Sequence, residues 1–320
     1  RLDVPRHSKQ SAAMPKPHLP NSNHTHILSG LPLRDALLAQ VKAQLQTHRL
    51  TPSLHIIQVG NNPASTAYIT RKQAACAQVG ITSQLHQLPE TTAESTLATT
   101  IKKLQTSHHP TAIIIQTPLP VGWNTPAALN LVPAAQDADG LSHSSIALRQ
   151  NQSPTVLLPA TPLAVLRLLE HAGVQLAGTP IAVIGKGMVV GAPLRHMLSQ
   201  AGAHVIGIDK STANPAQKCQ QAQVVVSAAG VPNLVTAAWL TKGAVVIDVG
   251  ITRQASKLVG DANASSLQNH ARILTPVPGG VGPVTVASIL TNVADAAFQQ
   301  ANLPRPQWHI PRATIPLSAY

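Results

Sequence analysis

Five short apolar runs follow one another at intervals of about 20 residues: IAVIGKG (181–187), HVIGID (204–209), QVVVSAAG (223–230), AVVIDVG (244–250) and RILTPV (272–277). Near-continuous Val, Ile and Ala suit strands that are covered on both faces. The intervals leave room for one helix or turn between strands. The pattern therefore predicts a doubly wound, Rossmann-like parallel sheet of the nucleotide-binding kind. Upstream the same alternation begins at Leu31. LRDALLAQVKAQL reads as an amphipathic helix, LHIIQVG (54–60) as a strand and STAYITRKQAACAQVG as a helix ended by Gly80. LATTIKKLQTS reads as another helix and TAIIIQTPL (111–119) as another buried strand. The fold class expected is α/β in two domains, an N-terminal α/β catalytic domain and the Rossmann-like one, with a deep cleft between them.

The boundaries follow from composition. Residues 1–27 carry Pro, Ser, His and Asn with no apolar period and read as a disordered tail, with Met14 as the natural start. Residues 28–158 form the catalytic domain, 159–284 the cofactor domain, and 285–303 a helix that packs back on the first domain; 304–320 form a second tail. The formal charge of +12 arises from 23 basic residues against only 11 acidic ones. No cluster of five basic residues occurs and aromatics make up 2%, so a basic stripe with stacking rings is missing and no nucleic-acid partner is expected. An anionic small molecule fits the charge as well. No apolar run approaches the ~18 residues that span a membrane, so no membrane partner is expected. Cys76 and Cys219 fall in different domains and form no disulfide framework, which points to a reducing compartment and a cytoplasmic protein. Of the 15 histidines, His24 and His26 lie in the tail, and His108 and His109 stand before a proline. None forms a metal-binding spacing, so no metal is expected.

Two constellations carry chemistry. GKGMVVG (185–191) follows a strand and opens a helix; Gly185 and Gly187 would let a pyrophosphate approach the backbone. Asp209, at the end of the next strand, stands where a carboxylate often holds the ribose hydroxyls of NAD. Lys186 and Lys210 could instead neutralise a 2′-phosphate, and the reading leans to NADP with NAD left open. In the first domain, Tyr68 and Lys72 lie one helical turn apart on one face. Gln116 ends a buried strand, and Asp137 and Asp139 sit in the loop QDADG. A lysine facing a cleft can carry protons where burial disfavours its charge. PVPGGVGPVT (276–285) is rigid and bare of side chains directly before a helix.

Taken together, VGNNPASTAYITRKQAACAQVGI, IIIQTPLP, DADGL, PATPLAVLRLLEHAGVQLAG, VIGKGMVVGAPL, VVIDVGI and TPVPGGVGPVTVASIL resemble the bifunctional methylenetetrahydrofolate dehydrogenase/methenyltetrahydrofolate cyclohydrolase family, in order and spacing, over residues 30 to 300. The resemblance implies oxidation of 5,10-methylenetetrahydrofolate with NADP, then hydrolysis to 10-formyltetrahydrofolate. It implies that Tyr68 stacks on the pterin, that Lys72 is central to the hydrolysis, that Gln116 hydrogen-bonds Lys72, and that Asp139 grips the amino-pyrimidine edge. Pro278, Gly279, Gly280 and Pro283 join Tyr68 and Asp139 as folate contacts. Cofactor contacts fall to Gly185, Lys186, Gly187, Gly191, Asp209, Lys210, Ala229, Gly230 and Ile251. A homodimer through the cofactor domains is implied too, and the basic charge is compatible with glutamate carboxylates on the substrate. The chain departs from the family pattern at Lys186-Gly187, at Asp209-Lys210, at Ala160 in place of a cysteine, and at Thr117. A shikimate-dehydrogenase-like oxidoreductase would share the second domain but gives no reason for the Tyr68, Lys72 and Gln116 set.

Overall fold

Each apolar run is too short for a helix and ends at a glycine or turn, so the runs pair as strands, and both main sheets are wholly parallel. The computed structural model describes residues 24–107, 111–151, 153, 155–255 and 257–314. Met14, His108, His109 and the ends of both tails lie outside these residues.

The first half runs β1 (His26–Ile27), α1 (Leu31–Thr47), β2 (Ser53–Val59), α2 (Pro63–Val79), β3 (Thr82–Leu88), α3 (Glu94–Ser107), β4 (Ala112–Ile115), α4 (Thr125–Leu129) and α5 (His143–Gln150). Strands β3-β2-β4 form a three-stranded sheet, with Ile57 of β2 opposite His86 on one side and Ile115 on the other. The second half runs α6 (Ala160–His171), β5 (Pro180–Ile184), α7 (Gly191–Gln200), β6 (His204–Ile208), α8 (Pro215–Cys219), β7 (Val224–Ser227), β8 (Val245–Asp248), β9 (Thr252–Gln254), β10 (Lys257–Val259), α9 (Ala264–Leu267), β11 (Ile273–Leu274) and α10 (Val281–Gln300). Its sheet has the order β1-β11-β8-β7-β5-β6. The winding direction reverses between β5 and β7, and parallel sheets bind ligands beyond the strand ends at such a reversal.

Three expectations need correction. Residues 24–27, assigned to the tail, contain β1, which pairs with β11. The Thr25 hydroxyl oxygen lies 2.9 Å from the carbonyl oxygen of Leu267 and 2.7 Å from that of Ala271, which ties this polar stretch down. Residues 304–314 are a strap and not a loose tail. Trp308 donates to Asp295 at 3.1 Å, the His309 amide to Gln40 at 2.8 Å, and the Ala313 amide to His171 at 2.8 Å. The last helix starts at Val281 and belongs to both halves, packing on α1, α2 and α6. By length and composition α10 could cross a membrane, with a mean hydropathy of 1.3, but 78% of that window is buried inside the fold. Its polar residues are satisfied there: Arg167 donates to Ser288 at 2.9 Å and to Thr291 at 3.0 Å. The Asn292 amide donates to the carbonyls of Ala138 and Leu158, 2.8 Å each.

Candidate active site

Helix α2 buries Ile69, Ala75, Cys76 and Val79 in the core. That anchoring turns Tyr68 and Lys72 toward the seam between the two sheets. Lys72 is only 5% exposed, and its Nζ donates to Gln116 Oε1 at 3.0 Å. A buried ammonium requires such a partner. Gln116 stands just past β4, where its amide N–H donates to Ile57 O at 2.8 Å. Its Nε2 donates to Thr117 O at 2.8 Å, and this leaves Oε1 for the lysine.

A cavity of about 510 Å³ opens beside this pair. Tyr68, Lys72, Gln116 and Asp139 line one wall; Val189, Val190 and Ile251 of the second half line the other, with Thr285 and Ile289 of α10. Four residues singled out in the first half thus converge. The carboxylates of QDADG divide their work. Asp137 is buried and accepts from Gly140 N, Ser142 N and Ser145 Oγ, so it holds the turn; burial raises its carboxyl above the usual range. Asp139 faces the cavity. Gly140 between this turn and residue 158 has φ +65°, and a Cβ there would lie 2.6 Å from Leu158 C.

Tyr68 is half-buried, and its phenol is raised by burial, partly offset by the charge of Arg71. The Arg71 guanidinium lies 5.7 Å from the Tyr68 ring centroid. Both residues also line a second cavity of about 460 Å³, with Arg34, Pro278, Gly279 and Pro283. The bare loop therefore borders two cavities, but Gly280 borders neither. A Cβ at Gly280 would lie 2.6 Å from Pro276 O, and one at Gly30 would lie 2.0 Å from Gly280 O; Gly280 is a packing position.

At the winding reversal, Gly185 has φ +103° and a Cβ there would lie 2.3 Å from Ala228 O. Gly191 is likewise a packing position, since its Cβ would lie 2.4 Å from Gly185 O. Around Gly187 and Gly230, by contrast, the space is open to 4 Å. Bare backbone beyond the β5 and β7 ends fits a dinucleotide. Asp209 accepts from Ser211 Oγ at 2.6 Å and Ser211 N at 2.8 Å, and pairs with Lys186 Nζ at 3.2 Å. The two Ser211 bonds and then Lys186 hold its carboxyl down at about 2. Lys210 is exposed. Asp261 Oδ2 accepts from Ser227 Oγ and from the amides of Ala229 and Gly230, at 2.9, 2.7 and 3.1 Å, and so sets the 229–230 loop.

The sequence reading missed Arg71 and Asp261. Arg71 stands three residues after Tyr68, on the same helix face, and Asp261 is a lone acid after an apolar run; both signals were present. Cys76 and Cys219 are both buried, and burial pushes their thiols up to about 12, which disfavours the thiolate. Among the described residues no group of three or more His, Cys, Asp or Glu could hold a metal ion.

Two family models match the chain. The catalytic domain of tetrahydrofolate dehydrogenase/cyclohydrolase covers residues 28–139, and its NAD(P)-binding domain covers 159–301. The bifunctional protein FolD of Halalkalibacterium halodurans is 39% identical over 264 residues, which is 82% of this chain and 94% of that protein. Its counterpart in Thermus thermophilus is 37% identical over 272 residues, 85% of this chain and 96% of that one. The crystal structure of the Campylobacter jejuni bifunctional enzyme has a TM-score of 0.82 at 32% identity, covering 86% of this chain and 99% of that one. The Trypanosoma brucei enzyme, solved with NADP and an inhibitor, has a TM-score of 0.82 at 29% identity, covering 87% of this chain and 99% of its own. With both domains matched in order and relatives aligned over nearly their whole length, the chain belongs to the tetrahydrofolate dehydrogenase/cyclohydrolase family.

Proposed function

We propose that the cavity at the seam serves two successive reactions. The chain oxidises 5,10-methylenetetrahydrofolate to the 5,10-methenyl form with NADP, and then hydrolyses that product to 10-formyltetrahydrofolate. The single observation that carries this reading is the Lys72–Gln116 hydrogen bond on the lining of a cavity shared with residues of the cofactor half.

Bound NADP supplies a hydride acceptor. The product cation is delocalised over N5 and N10 of the folate, so the first step needs no strong base. What it needs from the protein is alignment of two flat groups. Tyr68 offers a ring for the pterin, and Asp139 offers a carboxylate to its amino-pyrimidine edge. The apolar Val189, Val190 and Ile289 keep bulk water from the reacting carbon. Proton transfer enters with the second step. Water adds to the cationic carbon and loses one proton; opening of the bond to N5 then moves another proton from oxygen to nitrogen. Lys72 carries these protons, and Gln116 orients its ammonium without adding charge. On the cofactor side, Gly185 and Gly187 give backbone access, with Ala229, Gly230 and Ile251 beside them. Lys186 stands by Asp209 where the adenosine ribose would lie, and its cation supports a 2′-phosphate.

Folates with glutamyl tails and a cytoplasmic site of action belong to the same reading; Arg34 and Arg71 beside the second cavity support the first. A homodimer through the cofactor domains belongs to it too, and light scattering on the purified chain reads it directly. The principal test is a dehydrogenase assay on 5,10-methylenetetrahydrofolate with NAD and NADP side by side. Substrate-dependent reduction of NADP is expected, and a chain that binds NADP yet reduces none with this folate would overturn the reading.

A further inference from the structure

Helix α7 carries an arginine directly behind the cofactor loop. Arg195 Nη2 lies 2.8 Å from Gly185 O, 2.8 Å from Ile208 O and 3.1 Å from Val183 O. These carbonyls belong to the ends of β5 and β6 and to the first residue of the loop. One guanidinium thus ties two strands and the loop together. Room for it is made by Gly207: a Cβ there would lie 2.7 Å from Arg195 Nη1 and 2.9 Å from its Cζ. A purely structural filler would be apolar. The arginine instead leaves its Nε buried with no hydrogen-bond partner, a cost that a methionine would avoid.

The consequence lies in the Gly185–Lys186 peptide. Gly185, at φ +103°, has no side chain to limit its torsions, so its carbonyl is held only by external donors. Arg195 draws that carbonyl inward. In a planar trans peptide the Lys186 N–H must then point the opposite way, out from the loop's underside. Gly185 O lies against the start of α7, 2.4 Å from where a Cβ at Gly191 would sit, so this N–H faces away from the helix and is left for a ligand. We propose that Arg195 is a positioning residue for the cofactor, holding the 185–187 loop in the orientation that offers its backbone N–H to an anionic diphosphate. The inference rests on the dehydrogenase reading above.

The test measures NADP binding by calorimetry and, separately, hydrolysis of 5,10-methenyltetrahydrofolate without NADP. Arg195→Met is expected to weaken NADP binding about tenfold, as loss of a charged donor that orders a loop would. Hydrolysis should stay within about twofold of wild type, because Lys72 and Gln116 are held by other elements. Arg195→Lys should recover most of the affinity, and Gly207→Ala, which crowds the guanidinium, should weaken binding in the same direction. Unchanged NADP affinity in Arg195→Met overturns the proposal. So does a parallel fall in hydrolysis, which would mark a merely structural role. Failure of the wild-type chain to bind NADP would instead overturn the dehydrogenase reading, before any variant is compared.

Discussion

An ammonium buried to 5% exposure beside an amide and not a carboxylate is an uneconomical way to stabilise a fold. At Lys72 the arrangement places an amine on the cavity lining, within reach of a bound substrate. Lys72→Met has nearly the same length and keeps the apolar packing of α2, while removing the proton carrier. Hydrolysis of methenyltetrahydrofolate should fall by roughly a hundredfold to ten-thousandfold, the range general acid–base groups contribute. NADP affinity should hold, because the cofactor loop is elsewhere. A variant that hydrolyses at near wild-type rate removes Lys72 from the mechanism. The placing of Lys72, Tyr68 and Gln116 was legible in the sequence because helical spacing and a strand end fix it independently of tertiary detail, whereas Asp139, in a loop, was singled out through the family resemblance. Gly191 and Gly280 were legible as glycines but not as packing positions. What a glycine avoids is a neighbour's backbone, here Gly185 O and Pro276 O, and that neighbour is far from obvious in a linear chain.

Strand ends rather than strand middles do the work of the second sheet. Asp248 at the end of β8 accepts from the amides of Gly250, Asp261 and Ala262, at 3.1, 3.0 and 2.8 Å. Burial raises its carboxyl to about 6 despite those three bonds, and the nearby charge of Asp261 adds to the rise. A carboxyl whose folded value is raised stabilises the fold fully below its unfolded value near 4, and that contribution is lost as pH rises through about 6. Stability should therefore carry a downward component between about pH 4 and 6, at most ~1.4 kcal/mol per pH unit for one proton, read as a falling melting temperature. Asp261→Asn removes the like charge, so the decline should be shallower than in wild type. Identical slopes in the two proteins would deny the coupling. The apolar elements were readable because their runs are nearly pure Val, Ile and Leu. β3 was not, since TSQLHQL lies at a sheet edge and needs few apolar residues. The short β1 and the β9–β10 hairpin were equally silent, because pairing partners rather than side chains define them.

The two sheets could have been two separately folding units joined by a hinge, but their cores argue otherwise. A single apolar cluster contains Leu54, Ile56 and Ile114 of the first sheet together with Ile181, Val226 and Ile247 of the second. Helix α10 runs through it, with Val284, Ala287, Leu290 and Val293 fully buried. The strap then crosses from α1 to α6 over the outside. Because the cavity lies along this shared core, a ligand bound at the cofactor side should stabilise residues that never touch it. Calorimetry should accordingly show one unfolding transition, and NADP at about 100 times its dissociation constant should add roughly 2.7 kcal/mol, moving that transition up by about 3–8 °C as a whole. Two transitions, with only the one belonging to the cofactor half moved by NADP, would mean that the halves fold independently. In that case the seam would be a hinge, and the distance between Lys72 and the cofactor loop would be set by ligand closure and not by the shared core.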